Sequence, residues 1–80
     1  MPPQEGVRYY ARALSLNLTR GRKAFLHKKM AECHLAVGDD DAAREQLDIA
    51  FRLKPDLKGA TKICQRLGFV PGAAADAASA

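Results

Sequence analysis

Apolar residues recur along this chain at helical spacing. Val7, Tyr10, Ala13 and Leu14 fall three, three and one residues apart, which predicts a first helix over Glu5–Leu16 with one apolar stripe. "NLTRG", residues 17–21, interrupts it, and Thr19 or Gly21 starts the next helix. A second helix is predicted over Arg22–Val37, where Leu26, Met30, Cys33 or His34, and Val37 follow the helical period. Gly38 suits the left-handed residue just past a helix end, and Asp39 or Asp40 can cap a third helix. Acidic side chains there also favour the positive N-terminal end of a helix. The third helix is predicted over Asp41–Leu53, with Ala43, Leu47, Ala50 and Phe51 as its stripe. Pro55 ends it, because a residue before proline is pushed out of helical geometry. Asp56 is placed to cap a fourth helix reaching Leu67, in which Leu57, Ala60, Ile63, Cys64 and Leu67 recur on one face and Gly68 closes the last turn. No stretch alternates as a strand would, so the expected class is all-α, with about four short helices joined by short turns.

The ends read differently. Residues 1–4, with Pro2 and Pro3, are expected to be extended, and residues 70–80 read as an alanine-rich disordered tail without a large apolar anchor after Val70. The domain proper is therefore 5–69. Eighty residues suffice for one small domain of modest burial and marginal stability. At 48% hydrophobic and 28% charged residues, the composition is that of a globular chain. No apolar run approaches the ~18 residues of a membrane span, and the N-terminus has no signal-peptide pattern. The expectation is a cytoplasmic protein with no membrane partner.

Charge changes the picture more than composition does. The net charge is +4, but residues 1–37 carry seven Lys/Arg against two acids, whereas residues 38–80 carry six against seven. The excess centres on "TRGRK" and "HKK", between Arg20 and Lys29. Such a patch suits an acidic partner or a nucleic acid. For nucleic acid the candidates are Arg20, Arg22, Lys23, Lys28 and Lys29, but no aromatic residues for base stacking interleave with them, which argues against that partner.

Candidate chemistry is sparse. Cys33 and Cys64 form no Cys-x-x-Cys pair and sit in apolar helical patterns, where a reduced cysteine acts as a small hydrophobe. His27, Cys33, His34 and Cys64 are the soft metal ligands; Cys33 points about 100° from His34 around a helix, and zinc needs about four converging ligands. The same divergence spoils Cys33-His34 as a nucleophilic pair. No glycine-rich phosphate loop occurs, and Asp39-Asp40-Asp41 lacks calcium-loop spacing. No metal, cofactor or enzymatic activity is expected.

The small residues Ala31, Ala43 and Ala50 predict a close helix crossing, and the Gly-Asp-Asp turn makes the two helices antiparallel neighbours. Here the sequence resembles the tetratricopeptide repeat, a 34-residue helix–turn–helix unit with an aromatic-x2-Leu-Gly-x2-Tyr first helix, then Gly-Asp, Ala-x3-Phe, Ala and Pro. The corresponding residues are His27, Met30, Ala31 and His34, then Gly38-Asp39, Ala43, Leu47, Ala50 and Pro55. "GDDDAAREQLDIAFRLKP" matches the pattern without a gap, whereas histidines replace aromatics and Ala31 replaces glycine in the first helix. Tyr10, Ala13 and Leu14 align with Leu47, Ala50 and Phe51 at an offset of 37. The resemblance thus covers a complete repeat over about 22–55, a half repeat over 5–18 and a capping helix over 56–68.

The resemblance implies antiparallel repeats in a right-handed superhelical stack, and a function as a protein–protein interaction module, a scaffold or adaptor. A peptide or partner helix would lie along the first helix of the repeat, on Phe25, Lys28, Lys29, Glu32 and Ala36. Phe25 would anchor an apolar side chain, and Lys28 and Lys29 would favour an acidic ligand. "AECHL" followed by "GD" is also similar to a segment of the tetratricopeptide chaperones of bacterial type III secretion. Such repeats usually need about three units to bury a continuous core. The chain is thus expected to belong to a longer array, to self-associate as a homo-oligomer, or to have a partner over its open face. Tyr9 and Tyr10 make the first helix the expected sticky edge.

Overall fold

The computed structural model describes residues 3–70, with side chains from Gln4 onward. The chain is all-α, with four helices in the order α1 (Pro3–Ala13), α2 (Arg20–Ala36), α3 (Asp40–Leu53) and α4 (Thr61–Leu67). The predicted tail lies outside the described residues except for Val70. At the other end α1 begins two residues earlier than expected, at Pro3. Proline is tolerated at the first helical position, where its missing N–H would have had no intrahelical partner. The last turn of α1 tightens: Ser15 and Leu16 donate from their N–H groups to the carbonyls of Arg12 and Ala13, both at 3.1 Å.

Caps set the joints. Thr19 Oγ1 accepts from the Arg22 N–H at 3.3 Å and starts α2. At the far end Gly38 takes φ +80°, and the N–H groups of Gly38 and Asp39 donate to the carbonyls of Leu35 and His34 at 3.0 and 2.9 Å. This paired arrangement satisfies two orphan carbonyls of α2. Asp39 then caps α3, its Oδ1 accepting from the Ala42 N–H at 3.3 Å. One residue thus ends one helix and opens the next, so α2 and α3 fold back as an antiparallel pair.

The fourth helix differs most from expectation. Asp56 does not cap it; α4 starts at Thr61, and its N-cap Ala60 offers no side-chain hydrogen bond. Pro55 and Asp56 instead form a turn in which the Leu57 N–H donates to the Lys54 carbonyl at 3.0 Å. Gly59 comes next but one, at φ +80°, a conformation a right-handed helix cannot contain. Leu57 therefore packs on the core from a loop.

The core joins α2, α3 and α4 through Ala31, Ala43, Leu47, Ala60, Ile63, Cys64 and Leu67, with Leu35, Phe51, Leu57 and Phe69 around it. Leu47 is the largest fully buried side chain among the described residues. Phe69, which the helical pattern alone did not single out, stacks on Phe51 with ring centroids 6.1 Å apart. Arg44 Nη2 donates to the Leu67 carbonyl at 3.1 Å, tying α3 to the end of α4.

Helix α2 buries two faces, because it lies between α1 and α3. Ala24, His27 and Ala31 face α3; Ala24 and Ala31 are fully buried, and His27 Nδ1 donates to Gln46 Oε1 at 2.7 Å. Leu26, Met30 and Cys33 form the side toward α1, where Gly6 lets the two helices approach. A Cβ at Gly6 would lie 2.9 Å from Cys33 Sγ. Of the residues expected to pack, Met30, Ala31, Ala43, Leu47 and Ala50 are buried, whereas His27 and His34 are only half-buried. Gly38 and Pro55 are exposed and act through backbone geometry.

Candidate functional site

With two faces of α2 buried, a third is left to solvent. It carries Phe25, Lys29, Glu32 and Ala36, spaced four, three and four residues apart and hence on one stripe. Phe25 is 39% exposed. The Lys28 and Lys29 ammonium groups lie 4.9 and 5.5 Å from its ring centroid, within cation–π range. Lys29 also pairs with Glu32 at 3.4 Å across one helical turn, a half-exposed contact of little energetic weight. Ala36 is exposed and leaves the upper end of the stripe flat.

Lys28 departs from expectation. It leans toward the α3–α4 loop and is buried, at 8% exposure. Its Nζ would lie 3.1 Å from a Cβ at Gly59, so the glycine makes room for the ammonium. Among the described residues Lys28 has no hydrogen bond or ion pair. No fully enclosed polar side-chain atom lacks a partner there, so this ammonium keeps an opening to solvent. Burial of Lys28 also breaks up the five-residue basic patch expected for nucleic acid. One aromatic residue, Phe25, does stand among those charges, contrary to the sequence reading.

Sequence reasoning missed Lys54 and Gly59 in this region. Lys54 Nζ lies 3.8 Å from where a Cβ would stand on Gly21, so the end of α3 brings this cation to the start of α2. The signal was present as "LKG" inside an apolar pattern, where a glycine marks a turn rather than a continuing helix.

Two other surfaces are open. Phe51, Leu57, Cys64, Phe69 and Val70 line an apolar groove of about 430 Å³ beside α4. On α1, Tyr9 packs edge-on against Tyr10 yet remains 62% exposed, and Leu16, just past the end of α1, is equally exposed.

Among the described residues no three His, Cys, Asp or Glu side chains gather as a metal site, and no helix is long and apolar enough to cross a membrane. Burial pushes the Cys33 thiol up, helped by the Glu32 carboxylate and opposed by Lys29, and burial likewise raises Cys64. Raised thiols hold less of the reactive thiolate. In the folded chain at neutral pH both are expected to react with a disulfide reagent more slowly than an unstructured cysteine, with half-buried Cys33 ahead of buried Cys64. Reaction of both at the rate of a denatured control would contradict this packing.

Comparison with protein-family models, with curated proteins and with solved structures finds no match to this chain.

Proposed function

We propose that this chain is a protein–protein interaction module of tetratricopeptide-like build, with the outward stripe of α2 as its ligand face. In this reading α2 and α3 are one complete repeat, α1 is the second helix of a preceding unit, and α4 opens a following one in a right-handed stack. The tight Gly38–Asp39 joint and the buried alanines Ala31, Ala43 and Ala50 support it.

Phe25 is the observation that carries the reading. A large aromatic ring is held at the surface between two ammonium groups, on a helix whose other apolar residues are mostly turned inward. Such a ring offers an apolar anchor and its flanking cations offer charge, which together fit an acidic peptide with an apolar residue. Buried aromatic anchors carry a large share of binding energy at interfaces. Phe25→Ala is therefore expected to weaken binding of a peptide selected from a random-sequence array by about tenfold or more. Lys29→Glu should weaken acidic peptides selectively. Unchanged affinity after Phe25→Ala, with the helical circular dichroism intact, would exclude this face.

A second reading is self-association. Tyr9 on α1 and Leu16 just past it are exposed at one end, and the groove beside α4 is apolar at the other. Sedimentation over a range of concentrations separates the two readings. A monomer throughout excludes self-association, and a concentration-dependent mass abolished by Tyr9→Ser supports it.

A further inference from the structure

The surface of α1 carries a second pattern of charge and ring. In "VRYYAR", residues 7–12, two tyrosines stand between two arginines. Arg8 and Arg12 are four residues apart and so project from one side of the helix. With Glu5 and Tyr9 they line an open groove of about 330 Å³. Both arginines are exposed, and among the described residues neither side chain has an ion pair or a hydrogen bond. Tyr9 stands edge-on to Tyr10 with ring centroids 5.5 Å apart, a contact that steadies the ring and leaves most of it open to solvent. Only residues 14–19 separate α1 from α2, whose first turn adds Arg20 and Arg22, both exposed and likewise unpaired among the described residues. Basic charge therefore continues past the groove to the start of α2. The acids Asp39, Asp40 and Asp41 gather at the opposite end of α2. Glu5, the one carboxylate lining the groove, lies a turn before Arg8, on the side toward those acids.

We infer that this groove is a single-stranded nucleic-acid site, in which an unpaired base stacks on Tyr9 and the flanking phosphates meet Arg8 and Arg12. The inference goes beyond the peptide-binding reading of α2 and does not depend on it. Sites for single strands combine a positive track for the backbone with aromatic rings on which bases stack. The start of α2 supplies charge, and α1 supplies an exposed ring between arginines. A carboxylate-bearing peptide would satisfy the arginines alone. A single strand satisfies the arginines and the ring together. A duplex does not, because its bases are already stacked on one another.

The test measures binding of the whole chain to fluorescein-labelled oligothymidine and oligouridine of about 12 nucleotides, and to a duplex of equal length, by fluorescence anisotropy at several salt concentrations. Either single strand is expected to bind, and its affinity to fall steeply with salt. Arg8→Gln combined with Arg12→Gln should flatten the slope of log affinity against log salt by about 1.4, since each phosphate contact on a single strand contributes about 0.7. Tyr9→Leu should cost about fivefold or more in affinity at unchanged slope, and Tyr9→Phe, which keeps the ring, should recover the loss. Should Tyr9→Leu fail to fold, the unsubstituted chain still decides. It has two tyrosines and no tryptophan, so its ultraviolet emission reports Tyr9 and Tyr10. After correction for base absorbance, a stacked strand must quench that emission, and polyglutamate must not. Absence of binding at low salt overturns the inference. So do equal affinity for the duplex, affinity indifferent to Tyr9→Leu, and emission that the strand leaves unquenched. Each of these results leaves the peptide-binding reading standing.

Discussion

Leu47→Ala is expected to lower the unfolding free energy by about 3 kcal/mol, as read from urea denaturation followed by helical circular dichroism. Leu47 is fully buried on α3 and belongs to the cluster that joins α2, α3 and α4. Removing its outer carbons forfeits their transfer free energy and leaves a cavity. The surrounding alanines, Ala31, Ala43 and Ala60, are too short to fill it. A domain of this size has only about 4–10 kcal/mol in total, so one substitution removes a large share. Leu16→Ala serves as the control, since Leu16 is 62% exposed and its truncation should change stability by no more than about 0.5 kcal/mol. Equal effects at the two positions would mean that Leu47 is not the centre of the core.

The second large effect concerns the contact between α1 and α2. Gly6→Ala is expected to destabilise the chain by about 1 kcal/mol in the presence of Cys33 and to stabilise it by up to about 1 kcal/mol in a Cys33→Ala background. Two opposed effects produce the change of sign. Alanine is the better helix former by about 1 kcal/mol. Against this, the added Cβ stands 2.9 Å from Cys33 Sγ, closer than atoms pack, and overpacking costs about 1–3 kcal/mol. With Sγ removed only the propensity gain remains. The double-mutant cycle should therefore give a coupling of about 2 kcal/mol. Hydrogen exchange should place the loss in α1, which packs chiefly on α2. Additive effects would contradict this crossing.

The helices of this chain are legible in its sequence where local chemistry decides them. Thr19, Asp39, Gly38 and Gly68 each mark a boundary that arises from a hydroxyl, a carboxylate or a left-handed φ, and each boundary is realised. Legibility fails where two local signals compete. Asp56 reads as a cap until Pro55 and Gly59 turn the segment into a loop, and periodicity alone carried Leu57 into a helix it does not join. It fails again where the partner is distant in sequence. Gly6 carries no apolar side chain, so its stripe passes over it, although it is a point of close approach between α1 and α2. The outward face of α2 shows both outcomes. Phe25, Lys29, Glu32 and Ala36 share the predicted stripe. Lys28 is drawn off it by a loop that begins more than twenty-five residues later. A sequence read one helix at a time cannot see that pull, because it depends on the α2–α3 hairpin bringing Gly59 beside Lys28.

Whether the outward face of α2 is the ligand face is the question on which the function turns. Nuclear magnetic resonance of the uniformly labelled chain, titrated with an array-selected acidic peptide, tests it most directly. Amide and side-chain shifts are expected to concentrate at Phe25, Lys28, Lys29, Glu32 and Gly59, with Tyr9 on α1 and Phe69 in the groove unmoved. Shifts centred on the groove beside α4 or on Tyr9 and Leu16, with the Phe25 region silent, would contradict it.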